Sequence, residues 1–347
     1  MRYRLSGAWQ IAAVYVGTVV GAGFATGREI VEFFTQYGFW GLLGILVAGY
    51  LFIALGTKTM LLAVKIGAGT YEEVNEYLFG KRWSPFINIL FFIMLFGVTA
   101  VMLSGAGAVF EEQAGIPKML GVAITAIVAL WVLHNGIKGL FIVNMLVVPS
   151  MILFSLLLFT QVIGDPLYME HLFRTPHEMN GLKGIISPFL YSAFNLALAQ
   201  AVLVPVAHEI KEPSIIRSGG VLGGICLTLI LLTSHLSLIT LPNIAIYDIP
   251  SAELMKNVAR PLYWIFIFVI YGEIFTSLVG NVFGLEKQLK RYASLPSMLI
   301  FIVILLAAYT VSLIQYRTLL SVLYPLFGYI SLLFLWLLYR ASRKQKL

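Results

Sequence analysis

From residue 6 to residue 339 the chain is a succession of apolar runs separated only by short polar connections. Each run reaches the ~20 residues with which a helix, rising about 1.5 Å per residue, crosses a bilayer core. No interval is left for a sizeable water-soluble domain. Charged residues make up 11% of the 347 residues and hydrophobic ones 60%, whereas soluble domains carry roughly 25% charged. Backbone groups in hydrocarbon must be satisfied internally, and the runs far exceed the ~9–11 residues of a barrel strand. The prediction is an all-α membrane protein of about ten transmembrane helices, at about 6–35, 38–64, 84–110, 117–134, 137–163, 184–209, 214–241, 260–284, 295–314 and 317–339. The whole of 1–347 reads as a single transmembrane domain.

The formal charge of +7 does not point to nucleic acid, because the basic residues sit at the ends of membrane-length runs and act there as topology determinants. With the N-terminus in the cytoplasm, 16 lysines and arginines fall inside and 7 outside, which favours both termini cytoplasmic and an even number of spans. The expected location is the cell membrane, with the lipid bilayer as partner and no nucleic acid. Arg2 and Arg4 precede an apolar run like that of a signal peptide; its length and the prompt return of apolar sequence predict a retained first span. Cys226, the single cysteine, lies within an apolar run and offers neither a disulfide framework nor a thiolate metal cluster. The sequence does not define an oligomeric state.

The two halves share a layout. In each, a first span interrupted by glycine or polar residues is followed by a second span, an amphipathic connection (70–80 or 249–259) and a long third span. Five spans per half is odd, so the second half enters from the opposite face. That predicts a 5+5 inverted repeat, 6–163 and 184–339, an architecture that places a solute site near the midplane between half-helices.

The most informative segment is 17–27, with glycines at 17, 21, 23 and 27. Glycine costs about 1 kcal/mol relative to alanine within a helix, so unwinding is cheap here. Irregular backbone at membrane depth is tolerated where it lines a cavity or is buried in protein. Its freed amides suit a carboxylate and its freed carbonyls a cation. Close helix packing is the plainer explanation for small residues at this spacing. A second break expected at 192–197 in span six, Ser-Ala-Phe-Asn-Leu-Ala, with Pro205 later in the same helix, favours the site.

The run Gly17-Thr18-Val19-Val20-Gly21-Ala22-Gly23-Phe24 resembles the first-helix glycine motif of the amino acid-polyamine-organocation superfamily. In span six, Ser192-Ala193-Phe194-Asn195 followed by His208-Glu209-Ile210-Lys211-Glu212-Pro213 is similar to that superfamily's break and exit. The stretch from Gly21 to Phe34 is similar to the YkvI-like bacterial membrane proteins within it. This resemblance implies a LeuT-type fold with discontinuous helices 1 and 6. It also implies a substrate site at Val20, Gly21, Ala22, Gly23, Phe24, Phe194 and Asn195. The Gly17 and Val20 carbonyls would face a sodium site completed by the hydroxyls of Thr276 and Ser277 on span eight. Such hydroxyls also occur merely bonded back to their own helix.

Glu273, an acid in mid-span one turn from Thr276, is a functional candidate by position. It would bind sodium directly, carry a proton, or serve as a buried structural acid. Arg28 resembles an outer-gate arginine, with Glu29 beside it as a gate candidate; internal pairing of Arg28 with Glu29 or Glu32 is the other option. His235, Asn144, Gln200 and Tyr324 are candidate path or packing residues, and the five histidines lack metal-ligand spacing. No phosphate loop, nucleophile elbow or paired catalytic carboxylates stand out, so no enzyme is expected. No cofactor is expected beyond Na+ or H+ as the coupling ion. The expected function is a cation-coupled secondary transporter of a small organic solute, an amino acid or related amine; the alternative is a ligand-sensing, permease-like receptor subunit.

Overall fold

The computed structural model describes residues 2–135, 138–166, 168–173, 181–290 and 294–345, with side chains described for 7–134, 149–166, 168–173, 182–290 and 294–345. Among the described residues all regular structure is helical. The first predicted span is divided into α1 (Arg2–Val19), α2 (Ala22–Ala25) and α3 (Arg28–Phe33). Next come α4 (Phe39–Leu51) and α5 (Thr57–Ile66), joined through the π turn Phe52–Gly56 into one rod. The chain continues through α6 (Tyr71–Phe79), α7 (Ser84–Ala114), α8 (Lys118–Asn135), α9 (Lys138–Val162) and α10 (Tyr168–Phe173). It ends with α11 (Gly181–Ile210), α12 (Pro213–Leu238), α13 (Pro250–Val258), α14 (Tyr263–Leu289), α15 (Ser297–Ser312) and α16 (Tyr316–Lys344).

Six helices among the described residues are long and apolar enough to cross a membrane, at 39–66, 84–114, 182–210, 213–238, 260–289 and 316–344. Shorter apolar helices occupy 118–134, 149–162 and 297–312. Their outward faces suit lipid rather than water: Phe268 is 76% exposed and Trp131 68%, and tryptophan at the helix rims is what a bilayer interface selects.

The helices form two packed groups. In one, α1 lies along α12, while α11 packs on α4, α5 and α16. In the other, α7 packs on α8, α14 and α15, and α9 joins the groups by touching both α12 and α14. The short α2 rests on α14 and α7, at the seam. Contact between α1 and α12 depends on absent side chains: a Cβ at Gly219 would lie 2.6 Å from Ile11 Cβ and 2.8 Å from the Ala8 carbonyl oxygen. In lipid, where association has no hydrophobic drive between helices, such close approach is the main source of attraction. Tyr15 donates its hydroxyl to the Phe52 carbonyl at 2.9 Å, drawing that oxygen out of its ladder at the start of the π turn.

The amphipathic connections predicted at 70–80 and 249–259 are α6 and α13, nine residues each. The α6 start carries a capping box, with the Thr70 hydroxyl accepting from Glu73 N–H and the Glu73 carboxylate accepting from Thr70 N–H.

The expected break in span six is absent. α11 is helical from Gly181 to Ile210 without interruption. The segment at 192–197 has no glycine, and Ala193, Leu196, Ala197, Leu198 and Ala199 are strong or adequate helix formers. The polar residue meant to open it does the reverse: Asn195 Nδ2 donates to the Tyr191 carbonyl one turn back, at 3.1 Å. Pro188 and Pro205 are accommodated within the helix, as proline is in packed membrane helices.

Candidate functional site

The break in the first span is real and lies within the predicted glycine stretch. The ladder of α1 ends with Val20 N–H bonding to Val16 O at 2.8 Å and resumes with Ala25 N–H to Gly21 O at 2.9 Å. Among the described residues no backbone acceptor serves the intervening amides of Gly21, Ala22, Gly23 and Phe24. Gly21 is extended, at φ −117° and ψ −168°. A second interruption follows at Thr26 and Gly27, where Gly27 adopts φ +79°, a left-handed conformation that glycine enters without penalty. An unpaired backbone group away from water costs on the order of several kcal/mol. Two interruptions within eight residues of one buried span therefore call for a compensating role.

Two groups of side chains close on this segment. From α14, Ser277 comes near Gly21: a Cβ built there would lie 4.0 Å from Ser277 Oγ and 3.2 Å from Met102 Cε. Glu273, one turn earlier, is 2% exposed, and its Oε2 has no hydrogen-bond partner among the described residues. Thr276 is turned inward on its own helix, donating to the Glu273 carbonyl at 3.2 Å. Of the two expected hydroxyls, that of Ser277 lies beside Gly21. Gly17 and Val20 stand on the α1 side of it, half-buried and buried respectively.

The second group is centred on Glu29, a gate candidate by its place beside Arg28. The structure puts it in the interior, 3% exposed. Its Oε1 accepts from Asn195 Nδ2 of α11 at 3.3 Å, and a Cβ at Gly23 would lie 2.6 Å from its Oε2. Tyr191 stands beside the same carboxylate, its hydroxyl buried. Phe194 stacks near Tyr324, ring centroids 4.5 Å apart, and Ala22 and Phe24 are buried against the same interior. Asn195 thus reaches Glu29, and Phe194 reaches Tyr324, from a continuous helix.

Arg28 pairs not with Glu29 but with Glu32, Nη2 to Oε2 at 3.8 Å. Its Nη1 donates to the carbonyls of Ala245 (3.1 Å) and Tyr247 (3.5 Å). Arg317, at the start of α16, donates to Ala245 O and Ile246 O at 3.0 and 2.9 Å. Glu112 of α7 accepts from the amides of Asp248 and Ile249 at 2.9 and 3.1 Å. Ser251 N–H reaches the Thr26 carbonyl at 3.0 Å. The loop between α12 and α13 is thereby fastened over the second interruption from three helices. Burial holds the Asp248 carboxyl above its ordinary pKa, opposed by Arg317, Arg28 and Lys118.

A second polar network ties α6 to α11: Gln200 Nε2 donates to Asn75 Oδ1 at 3.3 Å, and Asn75 Nδ2 to Asn88 Oδ1 at 2.9 Å. Gln200 and Asn75 were legible only as isolated polar residues. His235 packs against Thr35, with Nδ1 3.2 Å from the hydroxyl, away from the break. The Asn144 side chain lies outside the described residues. Among the described residues no group of three or more His, Cys, Asp or Glu forms a metal centre.

An interrupted first span, with one buried acid of its own and another on α14, belongs to a class of membrane proteins whose fold is that of LeuT-type transporters. The chain is similar to a mutant of the Eremococcus coleocola manganese transporter, with TM-score 0.64 and 17% identity over 95% of this chain and 77% of that one. It is also similar to a Na+-coupled sialic acid symporter, with TM-score 0.63 and 12% identity over 93% and 75%. The chain belongs to the family of the membrane protein YkvI of Bacillus subtilis (strain 168), with which it shares 46% identity over 331 residues, 94% of this chain and 93% of that one. No protein-family model matches the chain.

Proposed function

We propose that the chain is a cation-coupled secondary transporter of a small organic solute, an amino acid or related amine, working by alternating access within the amino acid-polyamine-organocation superfamily. The observation that carries this reading is the first span: its carbonyls at 17–20 and its amides at 21–24 are released at the break, where Gly21 adjoins Ser277 of α14, one turn from the partner-less Glu273 carboxylate oxygen, and Gly23 adjoins Glu29. Backbone carbonyls with a hydroxyl and a carboxylate supply the hard oxygens that an alkali cation takes in exchange for water. Glu273 serves either as a direct ligand of sodium or as the carrier of a proton, and either ion biases the two groups of helices toward one arrangement.

The reading includes ten spans in two inverted repeats, 6–163 and 184–339, with both termini cytoplasmic in the cell membrane. α6 and α13 support the repeat. Each is a nine-residue helix between the second and third spans of its half, and each fastens to the first span of the other half, Asn75 to Gln200 and Ser251 to Thr26.

Uptake of amino acids and amines by proteoliposomes, under an imposed sodium or proton gradient, tests the proposal. Accumulation that follows one gradient supports it, and indifference to both removes coupling. With Glu273→Gln, proton-driven uptake is lost, whereas sodium-driven uptake is weakened but persists. Solute binding without accumulation would assign the chain instead to the permease-like receptors.

A further inference from the structure

Glu29 is a buried acid for which neither the fold nor the coupling scheme has a use. It is 3% exposed, lies inside the membrane-spanning region, and forms no ion pair among the described residues. The adjacent cation, Arg28, is occupied by Glu32 and by the carbonyls of the 239–249 loop. An ionised carboxylate held away from water without a positive partner is strongly unfavourable, so the position takes either a proton or a cation that the chain does not supply.

Its surroundings indicate which kind. Oε1 is fixed by Asn195 at 3.3 Å, while Oε2 abuts the interrupted segment at Gly23. Neighbouring groups are aromatic: Tyr191, fully buried beside the Glu29 carboxylate, and Tyr324, 1% exposed, with Phe194 4.5 Å from it. Tyr191 is packed by Phe33, Phe34 and Phe52 at 5.2, 4.9 and 5.8 Å between centroids. Aromatic faces within about 6 Å attract ammonium groups, more strongly when desolvated. A strongly hydrated inorganic cation would gain little from such walls. A solute anion at this place would meet the Glu29 charge directly.

We infer that Glu29, oriented by Asn195 and walled by Tyr191 and Tyr324, is the anchor for the protonated amine of an organic ammonium solute. This rests on the proposed site at the first-span break and names the chemical group recognised there. A carboxylate on the same solute is compatible with the inference only if it lies toward the Gly21–Phe24 amides.

The test uses the full chain in lipid nanodiscs and measures binding of butylamine and 2-phenylethylamine. 1-Butanol and 2-phenylethanol serve as neutral matches, 3-phenylpropionate as the acid and sodium chloride as the inorganic cation. The wild type should bind an amine in preference to its alcohol and to the acid. Glu29→Gln should weaken that binding roughly 100-fold, the scale seen when the partner of a buried charge is removed. Asn195→Ala, which keeps the acid but frees it, should weaken it roughly tenfold and reports even if the glutamine variant fails to fold. Equal binding of amine and alcohol, preference for the acid, response to sodium alone, no binding of either amine, or full amine affinity in Glu29→Gln would each overturn the inference. Gradient-driven uptake confined to solutes without an amine would remove this inference and leave the carrier reading standing. Amine binding that depends on Glu29 without accumulation would do the opposite.

Discussion

Replacing Gly23 with alanine tests how closely the interrupted segment, Glu29 and Asn195 depend on one another. The added Cβ would lie 2.6 Å from Glu29 Oε2, 3.0 Å from Leu320 Cδ1 and 3.1 Å from Glu29 Cβ, against an optimum near 3.5–4.0 Å for carbon contacts. The carboxylate has to retreat by about 0.5–1 Å to clear it. Its bond to Asn195 is already 3.3 Å long, so that retreat breaks it. A hydrogen bond to a charged group contributes about 1.5–3 kcal/mol, and crowding Leu320 adds a cost of about 1–3 kcal/mol. The intrinsic gain of alanine over glycine in a helix offsets at most about 1 kcal/mol. The net expectation is destabilisation by about 1.5–6 kcal/mol. Gly280→Ala, on α14 with no heavy atom within 4 Å of the new Cβ, is the matched control and should stabilise by about 0.5–1 kcal/mol. Denaturant unfolding in one detergent reads both variants. A double-mutant cycle with Glu29→Ala should return a coupling of about 1–3 kcal/mol. A Gly23→Ala chain as stable as wild type, or a cycle with no coupling, would refute the reasoning.

Gly219→Ala should also destabilise, by about 1–3 kcal/mol, because its Cβ meets the Ala8 carbonyl oxygen at 2.8 Å and Ile11 Cβ at 2.6 Å, forcing α1 away from α12; unfolding in detergent checks it. The loop between α12 and α13 should close more readily in acid. Burial raises the Asp248 pKa in the closed arrangement, so closure takes up protons. This contribution is fully present below the ordinary carboxylate pKa of about 3.9 and is lost as pH rises through the raised value. A fluorescence distance from the loop to α16, followed across that window, should show the closed population falling with pH, and Asp248→Asn should flatten the profile.

The parts of the fold that follow from composition and backbone cost were legible in the sequence. Long apolar runs dictate helices in a bilayer, and four glycines within 17–27 make an interruption cheap there. Asn195 was misjudged because propensity is local: read alone it breaks a helix, yet among alanines and leucines its amide bonds back to Tyr191 and reaches across to Glu29. Glu29 and Glu32 were equal candidates to pair with Arg28. Helical geometry turns neighbours about 100° apart, so Arg28 meets Glu32 one turn on and Glu29 faces inward. The pairing of Gln200 with Asn75 spans 125 residues, and no local pattern announces it. The approach of the Ser277 hydroxyl to Gly21 likewise depends on how α14 packs on the first span, which no local pattern specifies.

The account depends on the released backbone of the first span being where the solute is held. Hydrogen exchange at the amides of residues 21–24, with and without a solute that proteoliposomes accumulate, addresses this most directly. Protection that appears at these amides on binding, and diminishes in Glu29→Gln, is the predicted result. Exchange there that stays the same at saturating solute would contradict the account.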